Sequence, residues 1–157
     1  MCSSDLDQVL SLPARHFCPD DAESIPTGEK RDVSGTPMDF RAPKAIGQDI
    51  GIDYDALNLQ GGYDHNFEVF CNPCATLADP ASGRSMSVYT DCPGIQFYPG
   101  NFLDDEGKDG IHYGKRSGIA LEGQYFPNAM AIPDFRKPIL LAGETYRHRI
   151  CYRFFCE

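Results

Sequence analysis

Fifteen glycines and twelve prolines are spread along the 157 residues and cut the apolar sequence into short runs. No stretch keeps apolar residues at a spacing of 3.6 for long enough to specify a helix. What recurs is a few strand-forming residues closed off by a turn signal. Val9, Leu10 and Leu12 end at Pro13, and Phe67 to Phe70 reads as a further strand. Met86, Val88 and Thr90 alternate with Ser85, Ser87 and Tyr89. They follow Asp79-Pro80-Ala81-Ser82-Gly83, where proline fixes φ and glycine accepts φ > 0. Ile95 to Tyr98 is closed by Pro99-Gly100, and Ile119 to Leu121 is bracketed by Gly118 and Gly123. At the C-terminus Tyr146, His148, Ile150, Tyr152 and Phe154 alternate with Arg147, Arg149, Cys151 and Arg153, which predicts a strand with one packed and one wet face. Turn formers dominate from Cys18 to Pro43, so an irregular excursion with one short strand near Val33 is expected there. One helical turn is expected between Ala45 and Ile50. The pattern predicts an antiparallel β-sandwich or barrel with no convincing helix. It forms one domain over residues 9–157, after an unstructured polar stretch at 1–8.

The chain is long enough for one core. Its net charge of −9 argues against nucleic acid and against an anionic membrane surface, and leaves a neutral ligand such as a sugar open. No apolar run reaches bilayer length, and the first residues lack the basic and apolar regions of a secretory leader. The seven cysteines are odd in number and uneven in spacing, and read as reduced thiols of a cytoplasmic protein.

Four places carry groups able to do chemistry. Glu122 directly follows a buried-strand pattern, Ile119-Ala120-Leu121. Burying a carboxylate there is costly without a partner, so position alone favours an edge carboxylate in water over a proton-transfer group bordering a cleft. Asp64, in Gly61-Gly62-Tyr63-Asp64-His65-Asn66, can accept from two ligand hydroxyls or cap a polar turn, and His65 beside it can donate or accept. Gln96 sits among Ile95, Phe97 and Tyr98, either as a solvent-facing residue of a core strand or as the amide of a sugar pocket. Cys71 and Cys74 have C-x-x-C spacing, but a structural zinc needs four ligands, and Cys92 or His65 could join only through folding. A redox pair would sit near a βαβ pattern, and none is present. His16, His112 and His148 are scattered, and His148 reads as a core histidine.

Taken in order, several of these segments resemble the aldose 1-epimerase (galactose mutarotase) family. They are Gly62-Tyr63-Asp64-His65-Asn66-Phe67, Ser82-Gly83-Arg84, Pro93 to Tyr98 with Gly100-Asn101-Phe102-Leu103, and Leu121-Glu122-Gly123-Gln124. Ile25-Pro26-Thr27-Gly28-Glu29, Gly35 to Arg41, and Ala142 to Tyr146 with Tyr152-Arg153-Phe154 fit the same pattern, so that the likeness covers roughly residues 9–155. The resemblance implies an all-β, mutarotase-like antiparallel supersandwich, here partial, with a cleft for a small-molecule aldose. It implies interconversion of the α and β anomers of free hexoses such as galactose and glucose, with Glu122 as general base and Asp64 and Gln96 binding sugar hydroxyls. Neither metal nor organic cofactor is implied.

The likeness is to the C-terminal half of the family only. The proton-donating histidine of an Asn-His-Thr-Tyr-Phe-like motif has no counterpart, nor do an earlier histidine and an Asn-Arg pair that bind sugar. A positioned acid is worth about 10²–10⁴ in rate, so weak or absent activity is expected of this chain alone. Its expected partner is a missing N-terminal half or a second copy of itself. The alternative reading is a non-catalytic carbohydrate-binding module.

Overall fold

The computed structural model describes residues 5–156. Two five-stranded antiparallel sheets form the body. In chain order the strands are β1 (Val9–Ser11), β2 (His16–Cys18), β3 (Arg31–Asp32), β4 (Lys44–Ala45), β5 (His65–Glu68), β6 (Ala75–Asp79), β7 (Arg84–Thr90), β8 (Gly94–Tyr98), β9 (Asp105–Glu106), β10 (His112–Tyr113), β11 (Ala120–Gln124) and β12 (Ile150–Cys156). Sheet one runs β12-β7-β6-β1-β4, sheet two runs β11-β8-β5-β2-β3, and β9 and β10 form a small ribbon. The all-β antiparallel sandwich expected from the sequence is the architecture found.

Both sheets contribute to one core. Leu10, Ala75 and Val88 from sheet one meet Phe17, Phe67, Ile95, Phe97 and Leu121 from sheet two. Phe40, Tyr63 and Phe97 stack with ring centroids 5.0–5.6 Å apart. Since strand residues alternate between faces, sending Phe67, Ile95, Phe97 and Leu121 inward turns Asn66, Gln96 and Glu122 outward.

Four local expectations need correction. A short helix, α1 (Asp55–Gln60), exists. It buries Ala56 and Leu57 and ends on Gly61 in the left-handed conformation. Six residues are too few to display a helical period. The chain is already structured within 1–8: Asp5–Asp7 form a 3₁₀ turn, with Leu6 packed against the core. Residues 1–4 lie outside the described residues.

The last strand begins only at Ile150, and neither of its faces is fully packed. Its register puts Ile150, Tyr152 and Phe154 opposite Thr90, Val88 and Met86, on the core side of sheet one. Sheet two covers them only in part: Tyr152 Oη donates to the Leu121 carbonyl at 3.5 Å, yet Tyr152 is 45% and Phe154 74% exposed. His148 therefore lies before the strand and outside the core, where its ring bonds Asp91 and Tyr125. Among the described residues no helix is long and apolar enough to cross a membrane.

Candidate functional site

The outer face of sheet two carries a row of polar side chains. Glu122 of β11 pairs with Gln96 of β8, Gln96 pairs with Asn66 of β5, and Asn66 pairs with Cys18 of β2. Directly opposed residues point to the same side, with Cβ atoms about 4.5–5.5 Å apart. Asp64 is two residues before Asn66 and shares that side. The Gln96 amide Nε2 donates to Asp64 Oδ1 at 2.8 Å. The register thus brings Asp64, Gln96 and Glu122 to one wall, although they are far apart in sequence.

Asp64 is held in place from behind. Asn101 Nδ2 donates to the carbonyls of Gln60 and Tyr63 at 3.2 and 2.9 Å, tying the end of α1 to the turn after β8. Gly62 between them has φ +143°, and a Cβ there would fall 2.4 Å from Asn101 Oδ1. Only glycine fits that approach without displacing the asparagine.

A cavity of about 80 Å³ opens on this wall, lined by Asp20, Ser24, Pro26, Asp64, Asn66, Gln96 and Pro127. Water occupies about 30 Å³ in the liquid, so this volume suits one edge of a sugar ring and not the whole of it. Glu122 stands outside the cavity, exposed. Larger hollows lie elsewhere, the 430 Å³ one beside Asp91 and His148. The small one is preferred as the ligand site because polar groups converge on it with bonding capacity to spare. Both amide atoms of Asn66 and Oε1 of Gln96 are buried with no hydrogen-bond partner in the protein. Asn66 is only 2% exposed. Leaving such groups unpaired costs about 1–3 kcal/mol each, and the hydroxyls of a ligand can both donate to and accept from them.

The electrostatics are those of crowded carboxylates. Burial, then the nearby charges of Asp64 and Asp21, push the Asp20 carboxyl up to about 6. Burial also raises Asp64, against the lowering effect of the Gln96 hydrogen bond. Gln60 Nε2 donates to Asp20 Oδ2 at 3.1 Å, and Ser24 Oγ donates to Gln60 Oε1 at 3.1 Å. Beside the cavity, Cys18 lies under Phe126, Ala129 and Phe135, and burial pushes its thiol up to about 12. That cluster closes the face beyond Asn66.

His65 does not belong to the site. Alternation turns it into the core, where its ring meets Phe17 edge-on at 5.5 Å and its Nδ1 accepts the Asp64 backbone N–H at 3.0 Å. Burial lowers it to about 4, so it is neutral near pH 7. Among the described residues lining the cavity there is no histidine. Of the C-x-x-C pair, Cys71 is exposed, while Cys74 is buried and directs its sulfur at the Val88 carbonyl.

Sequence reasoning missed Asn66 and Asp20. Asn66 had a signal, since it stands two residues after Asp64 and hence on the same side. Asp20 had none, because only the path of the 18–43 excursion brings it to Asp64.

Comparison with known proteins places the chain in a family. The family model described as aldose 1-epimerase matches residues 3–153. The chain is 41% identical over 154 residues to galactose mutarotase of Homo sapiens, covering 94% of this chain and 44% of that protein. It is 31% identical over 156 residues to aldose 1-epimerase of Escherichia coli, covering 94% of this chain and 45% of that one. An aldose epimerase homologue from C. elegans superposes with a TM-score of 0.87 at 28% identity, covering 98% of this chain and 47% of that structure. The chain thus spans about half the length of the curated relatives it matches. It carries the two-sheet fold, and it belongs to the aldose 1-epimerase family.

Proposed function

We propose that this chain supplies the base-bearing wall of a site that interconverts the α and β anomers of a free hexose such as galactose or glucose. The observation that carries the reading is the single row formed by Glu122, Gln96 and Asn66, with Asp64 bonded to Gln96 beside it. In this reading Asp64 and Gln96 bind ring hydroxyls, and the Asn66 amide takes a further one. Glu122, exposed at the open side, removes the proton from the C1 hydroxyl. As the C1–O5 bond breaks, an acid delivers a proton to the ring oxygen and an aldehyde forms. Rotation about C1–C2 presents the other carbonyl face, and reclosure returns both protons with the roles reversed. Only protons move, so the reaction requires no redox cofactor.

Among the described residues lining the cavity there is no histidine to protonate the ring oxygen. A second polypeptide of the family, or a second copy of this chain, is the proposed partner, and the exposed strip of Ile150, Tyr152 and Phe154 offers apolar area for one. The six described cysteines are free thiols, in keeping with a cytoplasmic setting.

Polarimetry of freshly dissolved α-galactose, with titration calorimetry on the same sample, tests the reading. Saturable hexose binding lost in Asp64→Asn or Gln96→Ala is expected, with weak or no acceleration by the chain alone. Full-strength mutarotation indifferent to Glu122→Gln would overturn it. The second reading, a sugar-binding module without turnover, draws on the unpaired Asn66 and Gln96 amides. It is distinguished by binding that persists with no rate effect when the family's other half is added.

A further inference from the structure

A second cluster of chemistry-bearing side chains lies at the end of the β7–β12 ladder, away from the sugar wall. The ladder's last rung pairs Thr90 with Ile150. One step beyond, Asp91 and Arg149 are joined twice: Asp91 N–H donates to the Arg149 carbonyl at 3.3 Å, and Arg149 N–H donates to the Asp91 side-chain Oδ1 at 3.0 Å. One step further, Cys92 comes opposite His148. His148 Nδ1 lies 2.7 Å from Asp91 Oδ1 and 3.6 Å from Cys92 Sγ. A thiol, an imidazole nitrogen and a carboxylate oxygen thus fall within 4.8 Å of one another.

We propose that Asp91, Cys92 and His148 form a zinc-binding site that clips the start of the edge strand β12 to the body of the protein. The donor set is the first ground. Thiolate and imidazole select a borderline-soft ion such as Zn(II) over Mg²⁺ or Ca²⁺, which prefer all-oxygen sets. Geometry is the second. Tetrahedral zinc with bonds of about 2.0–2.3 Å keeps its ligand atoms roughly 3.3–3.8 Å apart. The sulfur–nitrogen spacing already falls there, and the exposed Asp91 carboxylate has room to draw back from His148 by the fraction of an ångström required.

The supports behind the ligands are also in place. Tyr125 Oη lies 3.2 Å from the other ring nitrogen of His148, so that nitrogen can donate to the hydroxyl once the metal takes Nδ1. The Arg149 N–H, donating to Asp91 Oδ1 at 3.0 Å, fixes the carboxylate beside His148. Cys92 is 5% exposed and the His148 side chain 13%, so two of the three ligands are shielded from water. The fourth position faces the 430 Å³ hollow lined by Asn72, Tyr89, Arg147 and Cys151, where a water completes the tetrahedron. A thiolate ligand forms only by loss of the Cys92 Sγ–H proton, while the single ring proton of neutral His148 stays on Nε2, so binding releases a proton and affinity falls as pH falls.

The clip has a structural consequence. Residues 138–147 preceding the ladder are exposed throughout, and β12 is an edge strand held by β7 alone. A metal joining Cys92 to His148 adds a covalent-strength rung where that strand begins.

The test uses the purified chain, stripped with chelator and titrated with Zn(II) by calorimetry and with Co(II) by absorbance. One equivalent should bind, with a thiolate-to-cobalt charge-transfer band, and zinc should slow tryptic cleavage after Arg147 and Arg149. His148→Gln should weaken binding by more than about 100-fold, beyond the range seen for loss of a mere supporting contact. Asp91→Asn should weaken it in the same direction, and Cys92→Ser should abolish the charge-transfer band. The Cys71→Ser, Cys74→Ser double variant should bind as before. The proposal is overturned if no stoichiometric ion binds, if His148→Gln binds unchanged, or if the double variant alone loses the metal.

Discussion

Glu122 stands directly across the β8–β11 pair from Gln96, and the two side chains leave the sheet on the same side, away from the core. That relationship places the carboxylate where the proposed base would take a proton from a sugar bound at the proposed contacts, Gln96 and Asp64. Because Glu122 is exposed, replacing it should barely touch the fold: Glu122→Gln should shift stability by no more than about 0.5 kcal/mol. Any acceleration of galactose mutarotation by the chain should fall by about 10²–10⁴. Polarimetry and thermal melts on the same preparation check both halves.

Gly94 lies beneath Asn66. A Cβ at Gly94 would fall 2.1 Å from Asn66 Oδ1, so the amide must move if the glycine is replaced. Gly94→Ala should cost about 1–3 kcal/mol in a urea melt, as overpacking of a buried position does. It should also weaken hexose binding, because Asn66 then no longer faces the cavity. Asn66→Ala made alongside separates the two effects: with the clash relieved, Gly94→Ala should cost less in the Asn66→Ala background than in the native one.

Asp20 links the site to pH. Its folded carboxyl is raised to about 6 from an ordinary 3.8, so between those values the unfolded chain has released a proton that the folded chain still binds. Stability from this group is therefore full below about pH 4 and is lost as pH rises towards 6. His65, lowered to about 4, works the opposite way, losing stability as pH falls from about 6.5 towards 4. The difference between Asp20→Asn and the native chain removes the His65 contribution. The variant should gain stability relative to the native chain from pH 4 to pH 7, on the order of 1 kcal/mol given the partial exposure of Asp20. Urea melts at pH 4 and pH 7 measure it.

The strip on β12 should make the chain associate. Phe154 is 74% exposed beside Tyr152 and Ile150, on a side of sheet one that sheet two leaves open. Sedimentation velocity should find concentration-dependent association, and Phe154→Ser should reduce it with a change in melting free energy of about 0.5 kcal/mol or less. Unchanged association in the variant would place the contact elsewhere.

The legibility of the chain followed the range of its interactions. The alternation of Met86, Val88 and Thr90, the Asp79 to Gly83 turn and the bracketed Ile119 to Leu121 run were readable because strands and turns are set by neighbours in sequence. The helix at Asp55–Gln60 was not, since six residues are too few for a helical period, nor was the strand at Ala75–Asp79, whose alanines and aspartate are not strand formers. The last strand was misjudged in a different way. Its alternation was plain, but whether an apolar face is packed depends on what lies across from it, and sheet two ends before Phe154.

By itself the sequence determined the antiparallel class, the turn positions and the identity of Asp64, Gln96 and Glu122 as candidates. Tertiary structure alone decided that these three share a wall, because register across β5, β8 and β11 is a long-range property, and a slip of one residue would have sent Glu122 into the core. It alone brought Asp20 to Asp64, turned His65 inward, left Asn66 unpaired and set Cys92 against His148. Each of those outcomes depends on which distant segment arrives beside a residue, which local pattern does not encode.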